Sequence, residues 1–409
     1  MGTTGENTDR RLPCVETLKQ LIRFQTGNMQ VSHKINIMFI IDCLCAPGGT
    51  ETHLTRLVTM LDKERFRSII VVFDLQENHL IKKIQDAGIT IIHIPVGRYY
   101  NFDAFKKAFI LSKLMREYHI DIVQTYHFKS DFYGAIIAYL TGVKHIISSK
   151  RDVGDIKSKL HFLLNQKTSA IFDGYIAVAD AVAEIVSLKE KVSKDKIKTI
   201  YNGVDTEIFS IPDQNMIVET RQKLGIQPSD FVVGMVAALR PEKNYTSLFE
   251  AIKKVKETIK EIKVLIVGGG DLLDIYRQYT EELGISKEVI FTNWSEDVTQ
   301  YLRTFDVACL IPSRNEGFSN SVIEKMAMGL PMIVTDVGGN AEAVIDGYNG
   351  IVIPKNNVDA LSDAIIYLYE NPEKRKEMGA RSRQRIMEHF TLTKMVKSHE
   401  EYYEKIMKG

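Results

Sequence analysis

Short runs of branched and aromatic apolar residues recur along this chain, spaced by segments whose apolar positions keep a helical period. In the first half Ile35–Asp42, Ser68–Phe73, Thr90–Ile94, Ile120–Thr125, Lys144–Ser148 and Gly174–Val178 read as strands. In the second half Phe231–Val236, Val264–Val267, Val289–Thr292, Val307–Ile311, Pro331–Thr335 and Gly350–Pro354 read the same way. Strand and helix alternate throughout, which predicts an α/β protein built on parallel, doubly wound sheets. In such sheets a ligand crevice lies outside the carboxyl ends of the strands. The loops at those ends are therefore where chemistry is to be sought.

A chain of 409 residues exceeds one ordinary core, so two domains are expected. The boundaries fall at an extension over 1–33, a first domain over 34–208, a linker region over 209–230, a second domain over 231–389 and a final helix over 390–409. Within the extension, Val15, Leu18, Leu21 and Ile22 suit a short amphipathic helix. The net charge of +1 argues against a dedicated nucleic-acid binder. Residues 1–210 hold 28 Lys and Arg against 23 Asp and Glu, a basic excess compatible with peripheral contact at an anionic membrane surface. The four cysteines have neither the spacing of a disulfide framework nor that of a zinc site. No stretch has the length and apolarity of a membrane span, which points to the cytoplasm, with any membrane contact made from the surface.

The most informative stretch is Ile311–Val337. A strand ends at Pro312, a loop follows, and Ser319, Asn320 and Ser321 offer a helix start with Val322, Ile323, Met326 and Ala327 as its apolar face. Gly329 and Pro331 stop that helix before the next strand. Free backbone amides and a helix dipole then fall at 317–322, which suits a phosphate. Glu316 precedes the helix and Glu324 lies about one turn inside it, each able to accept hydrogen bonds from hydroxyls. Phosphate in the middle and hydroxyls at both ends describe a nucleotide sugar.

Other loops add to this. Pro47-Gly48-Gly49 follows the first strand, and two glycines let a ligand approach the backbone. It lacks the Gly-x-Gly-x-x-Gly spacing, so NAD is not read from it. Arg240 and Lys243 lie on the loop that follows the strand Phe231–Val236, a fork and a point charge able to neutralise a diphosphate. Gly268 and Gly270 form a further open loop, and Asn293 is expected beside the nucleotide base. His127 follows Asp121-Ile-Val-Gln-Thr-Tyr at a strand's carboxyl end. Lys150, Arg151, Lys157 and Lys159 form a basic cluster, read first as a solvated face and second as a contact for an anionic acceptor or head group.

Ser-Arg-Asn-Glu-Gly-Phe followed by Glu-Lys-Met-Ala-Met-Gly-Leu-Pro resembles the signature of the retaining GT-B glycosyltransferases of glycosyltransferase family 4. The Arg240-x-x-Lys243 pair and the Tyr201-Asn-Gly-Val-Asp segment resemble the same family. That resemblance implies two Rossmann-like domains facing a central cleft, with the final helix returning to the first domain. It implies hexosyl transfer from a nucleotide sugar, a UDP-sugar first and a GDP-sugar second. The acceptor would be a glycan or lipid-linked molecule in surface polysaccharide or glycoconjugate synthesis. Catalysis would fall to His127, Glu316, Arg240 and Lys243. The donor would be held by Gly48, Gly49, Arg240, Lys243, Gly268, Gly270, Asn293, Glu316, Gly317, Phe318, Ser319, Asn320, Ser321 and Glu324. No Asp-x-Asp pair is present, so no metal and no cofactor are expected. The rival readings are a sugar-nucleotide-binding scaffold without turnover and another GT-B enzyme such as an epimerase. The histidine motif departs from the family's: Thr-Tyr-His stands where His-x-His is commoner.

Overall fold

The computed structural model describes residues 34–97, 101–154 and 159–409. The extension over 1–33, with its expected helix, lies outside the described residues, as does Lys157 of the basic cluster.

Two parallel sheets organise the chain. The first contains β1 (Ile35–Leu44), β2 (Phe66–Leu75), β3 (Thr90–His93), β4 (Ile122–Tyr126), β5 (His145–Lys150), β6 (Gly174–Ala177) and β7 (Ile197–Thr199), in the order β3-β2-β1-β4-β5-β6-β7. The second contains β8 (Phe231–Val236), β9 (Ile262–Val267), β10 (Val289–Phe291), β11 (Val307–Leu310), β12 (Met332–Thr335) and β13 (Gly350–Ile353), in the order β10-β9-β8-β11-β12-β13. Each sheet starts at its centre, winds to one edge, and returns to the other side of the first strand. The winding reverses between β1 and β4 and again between β8 and β11, the places where such sheets open a crevice.

The apolar runs exist because helices cover both faces of each sheet. Ile37 to Ile41, Ile69 to Val72, Val232, Val233, Val264 to Ile266 and Val307 to Leu310 are all buried. Strand β7 was not expected. It is three residues long, and its Ile197-Lys198-Thr199 sits among lysines that mask any apolar signal.

The chain crosses between the sheets twice, and the two crossings meet where Val204 bridges Thr391. The last helix, Leu392–Lys408, lies on the first sheet. Leu392, Met395, Val396, His399 and Tyr403 make its buried face, and the Tyr403 hydroxyl donates to Gln124 Oε1 at 2.7 Å. Arg65 pairs with Glu400 and Glu404 at the rim of this contact, where solvent weakens the ion pairs.

Cys43 and Cys45 are joined as a local disulfide at the end of β1. One expectation changes here. Lys150 is buried and not part of a solvated face. Its ammonium lies 2.8 Å from Asp131 and 2.9 Å from Glu190, tying β5 to its neighbours. Burial pushes its pKa down, but the two carboxylates outweigh that and hold it above the ordinary lysine value.

Candidate active site

A cavity of about 600 Å³ opens between the carboxyl ends of the two sheets, within the range expected for a small-molecule site. From the first sheet it takes Pro47, Gly48 and Gly49 after β1, His127 after β4, and Arg151 and Asp152 after β5. From the second it takes Arg240 and Lys243 after β8, Gly268 and Gly269 after β9, Trp294 after β10, and 315–321 with Glu324 after β11. Both reversal points of the winding contribute, so the site follows from topology before any side chain is considered.

The part of the cavity suited to an anion is built on the helix Asn320–Ala327. Ser319 occupies its N-cap without a side-chain cap bond, which leaves first-turn amides for another acceptor. Ser321 turns its hydroxyl to Val236 O at 2.6 Å and accepts from Lys325 Nζ at 2.8 Å. Lys325 is wholly buried; desolvation pushes its amine down to about 8, against the attraction of Cys309 and Glu324.

Arg240 lines the cavity exposed and makes no ion pair with a described residue. Lys243 instead holds Glu316, its Nζ 2.6 Å from Oε2. Glu324 pairs with Arg56 Nη2 at 3.0 Å, and Arg56 also donates to Gly203 O at 3.3 Å. Arg56 comes from the helix Gly49–Met60 on the opposite wall. Sequence reasoning missed it, since nothing local marks a partner 268 residues away.

His127 stands at φ +70°, an uncommon conformation for a residue with a side chain. Asp42, at the end of β1, accepts from the amides of Lys129 and Ser130 at 3.0 and 2.7 Å and so fixes the backbone behind it. Burial raises the Asp42 carboxyl above its ordinary value, with His127 pulling the other way.

Further ties close the cleft. Asn202 Nδ2 donates to Phe318 O at 2.9 Å, and Asn320 Nδ2 to Gly49 O at 3.3 Å. Glu342 of the second sheet's side accepts from the amides of Asp180 and Ala181, both at 2.8 Å, at the start of the helix Asp180–Lys189. Gly317 packs so tightly on Arg151 that a Cβ would lie 2.1 Å from its carbonyl oxygen.

Most of the expected donor residues line this one cavity; three differ in how they take part. Gly270 and Asn293 do not line it. Gly270 adopts φ +152° against Leu239, and the Asn293 carbonyl accepts from Gly268 N at 2.9 Å, so both shape the loops from behind. Trp294, next to Asn293, takes the place on the wall and is 60% exposed. Phe318 buries its ring against Tyr201 and Phe390, so only its backbone serves the site. Arg151, read first as solvated, lines the cavity and donates to Asn202 Oδ1.

Gly338 supports the Glu316 loop from below. It has φ +59°, and a Cβ there would lie 1.8 Å from Glu316 O. Gly338→Ala is therefore expected to cost about 1–3 kcal/mol and displace Glu316. Urea unfolding and nucleotide titration of the variant check both effects.

Two Rossmann-like parallel sheets with a cavity between their carboxyl ends define the GT-B class of transferase. Residues 47–208 match the family model described as Glycosyltransferase Family 4, and residues 216–385 match Glycosyl transferases group 1. An Escherichia coli UDP-Gal:alpha-D-GlcNAc-diphosphoundecaprenol alpha-1,3-galactosyltransferase is 28% identical over 73% of this chain and 79% of its own length. The Anabaena HepE structure with UDP superposes with a TM-score of 0.81 at 19% identity, over 91% of this chain and 100% of that one. The lipopolysaccharide outer core galactosyltransferase WaaB gives a TM-score of 0.71 at 19% identity, over 91% and 100%. These structural likenesses establish the fold. The chain belongs to the GT-B glycosyltransferases of family 4. It is a transferase that builds glycoconjugates.

Proposed function

We propose that the protein moves a sugar, with retention of anomeric configuration and without a metal, from a UDP-sugar to a lipid-linked glycan acceptor. One observation carries this reading: Arg240, Lys243, Glu316, Glu324 and the uncapped amides of the helix Asn320–Ala327 share one cavity. The names of the Escherichia coli relative, with its UDP-Gal donor and diphosphoundecaprenol acceptor, and of the UDP-bound Anabaena protein support the choice of nucleotide and acceptor.

In this reading the donor diphosphate lies over the first turn of that helix, with Arg240 as its free cation. Breaking the anomeric bond builds positive charge on the sugar and negative charge on the leaving phosphate. Arg240, Lys243 and the amides stabilise that phosphate, and fixed donors of this kind need no reorganisation as the charge develops. Glu316, held by Lys243, receives hydroxyls of the transferred sugar. Glu324 receives the ribose hydroxyls, sharing its carboxylate with Arg56. Trp294 offers an exposed aromatic face to the base. His127 stands on the acceptor side, near the reacting sugar. The cross-cleft ties through Asn202 and Glu342 hold the walls together and limit water around the donor.

A thermal-shift panel of UDP-, GDP- and ADP-sugars tests the donor. UDP-sugars are expected to raise Tm, and the rise should shrink in Glu324→Ala. Absence of a shift with every sugar would sink the donor assignment. Donor hydrolysis without acceptor separates an enzyme from a binding scaffold, for which turnover would be zero.

A further inference from the structure

Lys325 is a buried cation that the reaction proposed above leaves unused. It lies in the helix Asn320–Ala327, wholly buried together with Val322, Ile323, Met326 and Ala327. Its ammonium donates to Ser321 Oγ at 2.8 Å and to Cys309 O at 3.3 Å, both neutral acceptors. The carboxylates whose charge reaches it, Glu324 and Glu316, are paired with Arg56 at 3.0 Å and Lys243 at 2.6 Å. Lys150 shows the usual solution to burying an ammonium, two carboxylates within 2.9 Å. Lys325 has no such partner among the described residues. A charge taken out of water without a counter-charge is among the costlier things a fold can bury.

The missing counter-charge has a place. Ser321, which accepts from Lys325 and donates to Val236 O at 2.6 Å, belongs to the cavity wall. The turn that carries it also holds the amides left without a side-chain cap by Ser319. An anion seated there lies one hydroxyl away from a positive charge that nothing else neutralises. In a partly desolvated site the attraction at that range is strong.

We propose that Lys325 is the buried counter-charge of the donor's diphosphate: as an ammonium it holds Ser321 and adds its charge to the helix amides, and the bound phosphate in turn retains its proton. This rests on the donor reading above and adds to it a residue that never touches the ligand. Burial pushes the amine down to about 8, so its proton is exchangeable just above neutral pH. Anion binding favours the protonated form. Affinity is therefore full below about 8 and falls as pH rises through that value.

The groups around Lys325 leave this window clear. Cys309 on β11 is pushed up by burial to about 12, and burial raises Tyr245 as well, so both stay neutral to pH 9. Glu324 and Glu316 favour the ammonium, and Lys243 opposes it. Arg383 of the helix Pro372–His389 faces the far end of the same helix, donating to Ala327 O at 2.7 Å. Arg151, on the cavity's other wall, is pushed down by burial only to about 10.

The test is calorimetric titration of the full chain with UDP at pH 7, 8.5 and 9, in two buffers of different ionisation enthalpy. UDP is already ionised there, since a terminal phosphate loses its second proton near about 6. The parent chain should bind about fivefold more weakly at pH 9 than at pH 7, and take up about half a proton per UDP at pH 8.5. Lys325→Met keeps the buried stem and removes the charge. Its affinity at pH 7 should fall about tenfold and its pH dependence should vanish. Its Tm should hold or rise, because an unpaired charge has left the core. A lysine that only filled space would show neither the proton uptake nor the pH dependence. Equal parent affinity at pH 7 and 9 without proton uptake overturns the proposal, and needs no variant. So does a Lys325→Met protein that binds like the parent or keeps the parent's pH slope. In each of those cases UDP still binds and the donor reading stands. A parent chain that binds neither UDP nor GDP overturns both, and if GDP alone binds, the same titration with GDP decides.

Discussion

Arg240→Ala should lower turnover from a nucleotide sugar on the order of a hundred- to a thousandfold, the loss seen when a fixed transition-state donor is removed. The two cations of the second sheet are not equivalent. Lys243 is already neutralised by Glu316 at 2.6 Å, whereas Arg240 faces the cavity without an ion-pair partner among the described residues. Arg240 therefore has its full charge available for the leaving phosphate of the proposed reaction. Arg240→Lys should recover only part of the rate, since a point charge does not reproduce the guanidinium fork. The measurement is kcat and KM with saturating acceptor. A fall in kcat exceeding the rise in KM locates the effect in the transition state; an unchanged kcat would remove Arg240 from the chemistry.

Acid should destabilise the protein well before its carboxylates are protonated. His53 and His399 lie buried with ring centres 5.3 Å apart under the cleft, beside Tyr126. Burial pushes His399 down to about 4 despite its contact with Met395 O, and pushes His53 well below the ordinary histidine value, with Arg151, His399 and Arg56 adding to the effect. A depressed pKa on a base means that the unfolded chain binds more protons between the folded and unfolded values. Stability is then present above about 6.5 and is lost as pH falls toward 4. At pH 4.5 the loss from His399 should reach roughly 2–3 kcal/mol, with His53 adding to it in the same direction. Urea midpoints at pH 7 and 4.5 measure it. His399→Leu should flatten the slope between pH 6.5 and 5, and a slope unchanged in that variant would refute the assignment.

How much of this was legible beforehand varies by element. Nearly every strand shows in its apolar run, because covering a parallel sheet on both faces demands apolar residues at every position. β7 escaped because three residues among lysines carry no such run. The 311–337 segment was readable as strand, loop, helix and stop, because caps and glycines act over a few residues. Gly270 and Asn293 were expected at the nucleotide from their glycine loop and strand end, and the residues of those two loops that line the cavity are Gly268, Gly269 and Trp294. Lys150 looked like a solvated charge, and nothing local announces the buried Asp131 and Glu190 that hold it.

By itself, then, the sequence determined the alternation of strand and helix, the two sheets it implies, and the loop and helix start that carry the two glutamates. Those features depend on backbone preference and side-chain period within about a dozen residues. The tertiary structure decided which charges remain free: Arg240 open, Lys243 taken by Glu316, Glu324 reached by Arg56 from the other wall, and Lys150 sealed inside. Such pairings join groups distant along the chain, and their protonation and strength depend on burial, which exists only once the two sheets have closed over the cleft.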